Sequence, residues 1–373
     1  MTDFTEEMAA ETSLAMASPV AISRLDFEQM LEFSRLVFGL KDNAAYLAEL
    51  KDMLPAAASI KTGWPSVLMG FDFHLTPDGP RLIEINNNAG GLYIGQGHWL
   101  PQPELSQQEW ADGGSALPTS LQDRLAAMFP EVWQSIAIMD EDVEQQYMYP
   151  EMCAYADLLR LHGRQVFLVS PANLKAGPDG LSCEGIHIDA IYNRHTDFYL
   201  ESQELAHIRM AYEQGKVVLN PHPRSYALIG DKSRMVDWWQ PGLLEACLDE
   251  DAARLIRRIT PETRRLLDMD REKAWEDRKN WVFKPAARHG GKGVLLGRAM
   301  SRKRFDSLDV ADTIVQQLVP ASEVDISGHT MKLDIRLYMH GADLIALAGR
   351  VWRGQVTNFR EPGSGWVALA IES

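Results

Sequence analysis

Cysteine, long apolar runs and positive charge are all scarce in this sequence, and each scarcity excludes something. Three cysteines, Cys153, Cys183 and Cys247, stand in 373 residues. They are odd in number, far apart and without metal-type spacing, so neither a disulfide framework nor a zinc site is indicated. No apolar run approaches the roughly 18 residues of a membrane span, and the opening MTDFTEEMAAETSLAMASPVAI is acidic where a secretory signal would be basic. The expectation is a cytoplasmic protein. Lysine and arginine total 37 against 52 aspartates and glutamates, a formal net charge of −15, which argues against nucleic acid or an anionic membrane as the main partner. There is no internal repeat or low-complexity tract, and no exposed apolar stripe that would define an oligomer.

What the chain does have is apolar material, 46% of its residues, enough for two or three lobes at roughly 150 residues each. Residues 24–54 carry leucine and phenylalanine at helical spacing and predict one or two amphipathic helices. The stretch 95–120, rich in Gly, Pro, Ser and Gln, predicts a long loop with a boundary near 120. Beyond it, short apolar runs at 135–140, 165–170, 189–194 and 217–221 alternate with helical stretches near 146–162 and 200–214. That rhythm predicts a parallel, Rossmann-like sheet. Its first strand is not followed by G-x-G-x-x-G, so the dinucleotide fingerprint is absent, and the lobe is expected to frame a substrate. From about 225 the chain reads as helical and charged, then turns to strand-like runs at 281–297, 313–320 and 331–354. The division expected is 1–60, tail and helices; 61–120, a hairpin and linker; 121–225, the Rossmann-like lobe; and 226–373, the remaining lobes.

The hairpin is SVLMGFDFHL, then TPDGP, then RLIEINNNAGG. Two alternating runs flank a cluster of turn formers. A turn centred on Asp78 sets Asp72 opposite Glu84, with Asn86 one step along the same face, and places Leu82 on that face with Ile83 and Ile85 on the other. Like charges opposite one another destabilise a ladder. Two readings therefore stand: a solvated outer face with a polar exit turn, or an all-oxygen donor set suited to a hard ion such as Mg²⁺.

In the second half, FKPAARHGGKGV puts Lys284 at the end of an apolar strand before a loop with Gly290, Gly291 and Gly293 around Lys292. Such a loop lets backbone N–H groups approach a phosphate closely, although it is not a Walker A motif, and a plain glycine hairpin is the alternative. Lys232 follows a turn in ALIGDKSRM. VQQLVPASEVD offers an apolar run, Gln317, Leu318 and Val319, whose backbone could pair with an adenine edge, and Glu323 placed for ribose hydroxyls. Asn193 and Arg194 end a predicted sheet strand, where ligands bind in open α/β sheets; Arg194 holds either a substrate carboxylate or a loop salt bridge.

Together these motifs resemble the ATP-grasp superfamily in its circularly permuted, glutathionylspermidine synthetase-like form, over about residues 60–95 and 135–366. The resemblance implies an α/β fold, a permuted ATP-grasp with a Rossmann-like pre-ATP-grasp lobe. It implies magnesium on Asp72, Glu84 and Asn86, phosphate-binding Lys232 and Lys284, a glycine flap over 287–293 with Gly290, Gly291 and Gly293, and an adenine and ribose hinge at Gln317, Leu318, Val319 and Glu323. Arg336 and Arg350 match the family's D-x-R … R segment and would act on the phosphoryl group; surface ion pairs, for instance with Asp334, are the plainer alternative. The chain departs from the pattern at Gly70, where the glutathionylspermidine-type enzymes carry arginine, so their substrate does not transfer. The implied activity is an ATP-dependent carboxylate–amine ligase that joins small-molecule acid and amine substrates of the amino acid, peptide or polyamine class through an acyl phosphate. A degenerate nucleotide-binding scaffold or sensor, or a phosphotransferase, is the alternative.

Overall fold

Helix α1 (Arg24–Leu40) begins where Ser23 accepts a hydrogen bond from the Asp26 N–H, an N-cap that satisfies one of the helix's orphan donors. Phe27, Met30, Leu31, Phe33, Val37 and Leu40 recur at three- and four-residue steps and are buried, as an amphipathic helix requires. A shorter helix, Ala44–Leu50, completes the predicted helical region. The structure is a computed structural model that describes residues 19–61, 63–92, 121–286, 293–326, 328–354 and 364–372. The predicted 95–120 loop, and the flap apart from Gly293, lie outside these.

Strands β1 (Met69–Thr76) and β2 (Gly79–Asn86) form the expected antiparallel hairpin, with Gly79 in the left-handed region at φ +99°. Asp72 faces Glu84, but the register shifts between Asp72 and Phe73, so that Leu82 faces Phe73 and Ile83 has no partner. This bulge corrects one expectation. An extra residue in one strand reverses its alternation, and Leu82 therefore joins Ile85, Phe71 and Phe73 in the apolar core instead of sharing the face of Glu84.

Next come β3 (Ser135–Met139), helix α2 (Tyr149–Leu161), β4 (Gln165–Val169), β5 (Ala190–Asn193), helix α3 (Ala206–Glu213) and β6 (Val218–Asn220). The four strands form one parallel sheet in the order β6-β5-β3-β4. The chain winds from β3 outward to β4, then crosses back to β5 on the other side of β3.

Helix α4 (Glu250–Ile259) follows, capped by Asp249. The region read as helical also contains a strand, Thr263–Arg265, which pairs with a later one and so could not be seen locally. Strands β7 (Trp281–Pro285) and β8 (Thr313–Gln317) pair antiparallel at the centre of a small four-stranded sheet. After β9 (Ser322–Ile326), the long hairpin β10 (His329–His340) and β11 (Asp343–Trp352) and the short β12 (Gly365–Val367) build the largest sheet. Its order is β12-β11-β10-β1-β2, with β9 also on β10. One face of this sheet packs on α1, α4 and Trp238, while Tyr338, Ala348 and Trp366 on the other face pack on the core of the parallel sheet.

The three asparagines at the end of β2 each take a different task. Asn86 donates to Asp72; Asn87, 2% exposed, accepts from the hydroxyls of Ser66 and Ser225; Asn88 donates to the Asn193 carbonyl and accepts from Arg194. The turn then closes at Gly91, whose N–H donates to the buried Glu151 carboxylate. Gly91 sits at φ +93°, and a Cβ there would lie 2.5 Å from Cζ2 of Trp366. Gly91→Ala is expected to cost about 3 kcal/mol through backbone strain and overpacking. Gly163→Ala, at φ +80° with nothing within 4 Å of its Cβ position, should cost about 1 kcal/mol. Urea unfolding midpoints of the two variants provide the check.

Candidate active site

On the sheet face away from α1, Arg336, Asp72 and Glu84 stand in one row across β10, β1 and β2, and Asp334 faces Arg350 in the next. The carboxylate repulsion foreseen from the sequence is met by cations from much later in the chain. Arg336 grips Asp72 with Nε on Oδ1 and Nη2 on Oδ2, both at 2.6 Å. Arg350 adds Nη2 to the same Oδ2 at 2.8 Å and pairs through Nε with Asp334 at 2.6 Å. Asn86 contributes its amide N–H at 3.1 Å. Burial alone would raise the Asp72 carboxyl, and the two guanidinium groups hold it below the usual carboxylate range instead. These are not surface pairs: Arg336 and Arg350 are each 8% exposed and Asp334 is 2% exposed.

A second cluster forms around Glu84. Lys232, at the start of the helix Ser233–Asp237, brings Nζ to 3.8 Å from the Glu84 carboxylate. Its turn is fixed by Asp231, which accepts from the Ser233 N–H and from the Tyr199 hydroxyl. Lys284 comes from β7 and donates to Oε1 of Gln316 at 2.6 Å and to the Ile83 carbonyl at 3.1 Å. That carbonyl belongs to the bulged residue. Burial pulls the Lys284 ammonium down to about 8, with Glu84 opposing and the Lys232 charge adding to the depression.

The hinge residues run beside the outer half of the hairpin. The Gln317 and Leu318 N–H groups donate to the carbonyls of Glu262 and Asn280, and the Gln317 side chain accepts from Arg81. The Val319 carbonyl lies 3.2 Å from Nδ1 of His74, which stacks on Trp352. Glu323 is exposed and faces Lys332 across the ladder. Gly293 is described, in the left-handed region at φ +84°; Gly290 and Gly291 are outside the described residues. The structure thus gathers Asp72, Asn86, Arg336 and Arg350 in one cluster and Glu84, Lys232 and Lys284 in the next. It leaves Glu323 at the margin.

Sequence reading passed over His74 and Gln316. Both follow from alternation: His74 is two residues past Asp72 on one face, and Gln316, not Gln317, points inward from β8. Burial, at 3% exposure for Gln316, separates the two glutamines.

Two ammonium groups and two guanidinium groups around this face suit a polyanion. Whether the oxygens suit magnesium depends on what already holds them. Both Asp72 oxygens carry N–H donors, and among the described residues no three His, Cys, Asp or Glu side chains cluster as a ready-made metal cage. Glu84 and the amide oxygen of Asn86 do fit an ion that takes one or two protein oxygens and completes its shell from phosphates and water.

No family model matches the chain, and no curated protein matches it. Solved structures do. A glutathione synthetase-like effector of Globodera pallida, in its apo form, aligns over 99% of this chain and 96% of its own, with TM-score 0.59 and 12% identity. A provisionally assigned γ-glutamylcysteine synthetase of Methylobacillus flagellatus aligns over 91% of this chain and 86% of its own, with TM-score 0.51 and 14% identity. At such identities the likeness is one of fold. This chain shares the overall fold of these two structures.

Proposed function

We propose that the protein is an ATP-dependent carboxylate–amine ligase working on a circularly permuted ATP-grasp chain, with the parallel sheet as its Rossmann-like substrate lobe. The observation that carries this reading is the convergence of Lys232 and Lys284, from two separate late segments, on Glu84 of the early hairpin. The fold shared with glutathione synthetase-like and γ-glutamylcysteine synthetase-like structures supports small amino acid or peptide substrates.

In this reading a substrate carboxylate oxygen attacks the γ-phosphorus of ATP, the bond to the β–γ bridging oxygen breaks, and ADP leaves. An amine nitrogen then attacks the acyl carbon, phosphate departs with the C–O bond, and the amine's proton is lost to solvent. Lys232 and Lys284 hold the phosphates as point charges, and the Gln316 amide and Ile83 carbonyl fix where Lys284 delivers its charge. Arg336 and Arg350 face the transferring phosphoryl group, aimed by Asp72 and Asp334. Charge spread over that group is stabilised best by donors already in place. Glu84 and Asn86 would hold magnesium, which would add positive charge at the phosphate oxygens. The family resemblance also implies Asp72 as a metal ligand, but here both of its oxygens are engaged by arginine donors. The hinge at Gln317, Leu318, Val319 and Glu323 lines the base and ribose, and the flap with Gly290, Gly291 and Gly293 covers the phosphates.

Incubation with ATP, Mg²⁺ and pools of amino acids and short peptides should release ADP and phosphate and yield a product whose mass is that of the two substrates less water. ATP binding with no ADP from any pool would identify a scaffold, and a phosphorylated product a phosphotransferase. Lys232→Met and Lys284→Met should each weaken ATP binding by about 10- to 100-fold, since a hydrogen bond to a charged group contributes roughly 1.5–3 kcal/mol.

The depressed Lys284 ammonium makes two opposite predictions about pH. Between about 8 and its ordinary value of 10.5, the unfolded chain binds more protons than the folded one, so stability rises with pH through that window and the cost of burying the charge is fully present below it. Phosphate needs the charge, so ATP affinity should fall as pH rises above about 8. Both trends, read by thermal unfolding and by calorimetric titration with ATP, should vanish in Lys284→Met.

A further inference from the structure

Lys284 belongs to β7, and the pairing of that strand with β8 fixes where its side chain starts. Lys232 follows no strand. The five residues before Asp231, Tyr226–Gly230, are wound in the wide i→i+5 form, a rare conformation that occurs mostly as single turns and often at functional sites. Asp231 then interrupts the winding with extended backbone, φ −67° and ψ 126°, and the short helix Ser233–Asp237 begins directly after Lys232. A segment this irregular takes its direction from its neighbours.

The neighbour comes from the parallel-sheet lobe. The connection 194–205 between β5 and α3 is tied to itself: the Asn193 side chain accepts from the His195 N–H at 3.1 Å, the His195 ring from the Asp197 N–H at 3.0 Å, and the Asp197 carboxylate from the Ser202 N–H at 2.7 Å. Leu200 stands in the left-handed region at φ +57°, with its side chain fully buried in that lobe's core. A bulky residue persists there only where its surroundings over-determine the backbone. From this anchored loop Phe198 and Tyr199 reach the segment that carries Lys232. Phe198 stacks on Tyr226 with ring centroids 4.4 Å apart and 17° between the planes, and Tyr199 meets the same ring at 5.1 Å and 63°. The Tyr199 hydroxyl donates to Oδ2 of Asp231 at 2.7 Å, while Oδ1 accepts from the Ser233 N–H at 2.9 Å. One carboxylate thereby ties the residues on both sides of Lys232 to the other lobe. With both oxygens engaged, it is also held from turning to the ammonium group of the next residue.

We propose that Tyr199 is a positioning residue of the phosphate site: its hydroxyl holds the Asp231 carboxylate, and through it the turn that aims Lys232 at bound phosphates. The inference rests on the nucleotide site of the ligase reading, and it is tested by binding alone. Isothermal titration of the full chain, with Mg²⁺ present, compares a nonhydrolysable ATP analogue with adenosine, which lacks the phosphates that Lys232 would meet. Tyr199→Phe keeps the ring contacts and removes only the hydroxyl; it should weaken binding of the analogue at least threefold and leave adenosine unchanged. In a Lys232→Met background it should change neither, because members of one network are not additive. Asp231→Glu, which keeps the charge but moves the carboxylate by one methylene, should show the same loss for the analogue alone. Unaltered binding of the analogue by Asp231→Glu overturns the proposal even if Tyr199→Phe fails to fold. An equal loss for adenosine and the analogue, or a loss that persists beside Lys232→Met, assigns Tyr199 a merely structural role and overturns it too. An unmodified protein that binds no analogue overturns this proposal and the nucleotide site together, whereas the expected pattern without ADP from any pool keeps Tyr199 and discards the ligase.

Discussion

A carboxylate 2% exposed in the middle of a sheet, directly across the ladder from a second carboxylate, is the constraint to which the rest of this molecule answers. Asp72 is tolerable in that position because Arg336 and Arg350 arrive from more than 260 residues later in the chain. Removing one partner of a buried pair typically costs about 3–5 kcal/mol, a large part of the roughly 5–15 kcal/mol that stabilises a domain. The early hairpin and the late one are thus bound by electrostatics as well as by ladder hydrogen bonds. The same pairing sets out the candidate chemistry: once Asp72 and Asp334 fix the two arginines, Glu84 is left to face the lysines.

The bulge at Ile83 links backbone irregularity to that chemistry. Without it, strict alternation would carry Leu82 out of the core, at a cost of about 1.5–3 kcal/mol for a large aliphatic side chain. With it, Leu82 and Ile85 both stay buried, Glu84 and Asn86 still face the site, and the carbonyl of the unpartnered residue accepts from Lys284. A lysine whose ammonium is desolvated needs such acceptors, and the Gln316 amide provides the other. One extra residue in a strand thereby ties the small β7–β8 sheet to the large one.

Much of this was legible in the sequence, because period-two alternation and turn chemistry are local. The hairpin, the pairing of Asp72 with Glu84, the parallel strands and the late hairpin all follow from residue patterns a few positions long. What stayed hidden depends on partners distant in sequence. The bulge is set by packing on α1, the strand Thr263–Arg265 exists only against β8, and the burial of Arg336 and Arg350 with Asp334 requires knowing that β10 lies beside β1. His74 and Gln316 were within reach, since each lies on the inward face of a strand already recognised; residue type drew attention to Gln317 and parity would have corrected it.

The run of three asparagines shows why amides, and not charges, occupy the junction of the lobes. Each has to satisfy neighbours of a different kind: a carboxylate for Asn86, two hydroxyls for Asn87, and a carbonyl together with a guanidinium for Asn88. An amide can donate and accept at once, whereas a carboxylate there would lack protons for the Asn193 carbonyl and would crowd Asp72 and Glu151 with a further negative charge. The two glycines that follow let the main chain pass between Trp366 and Arg194, so that its own carbonyls carry Arg194 on one side and Arg336 on the other.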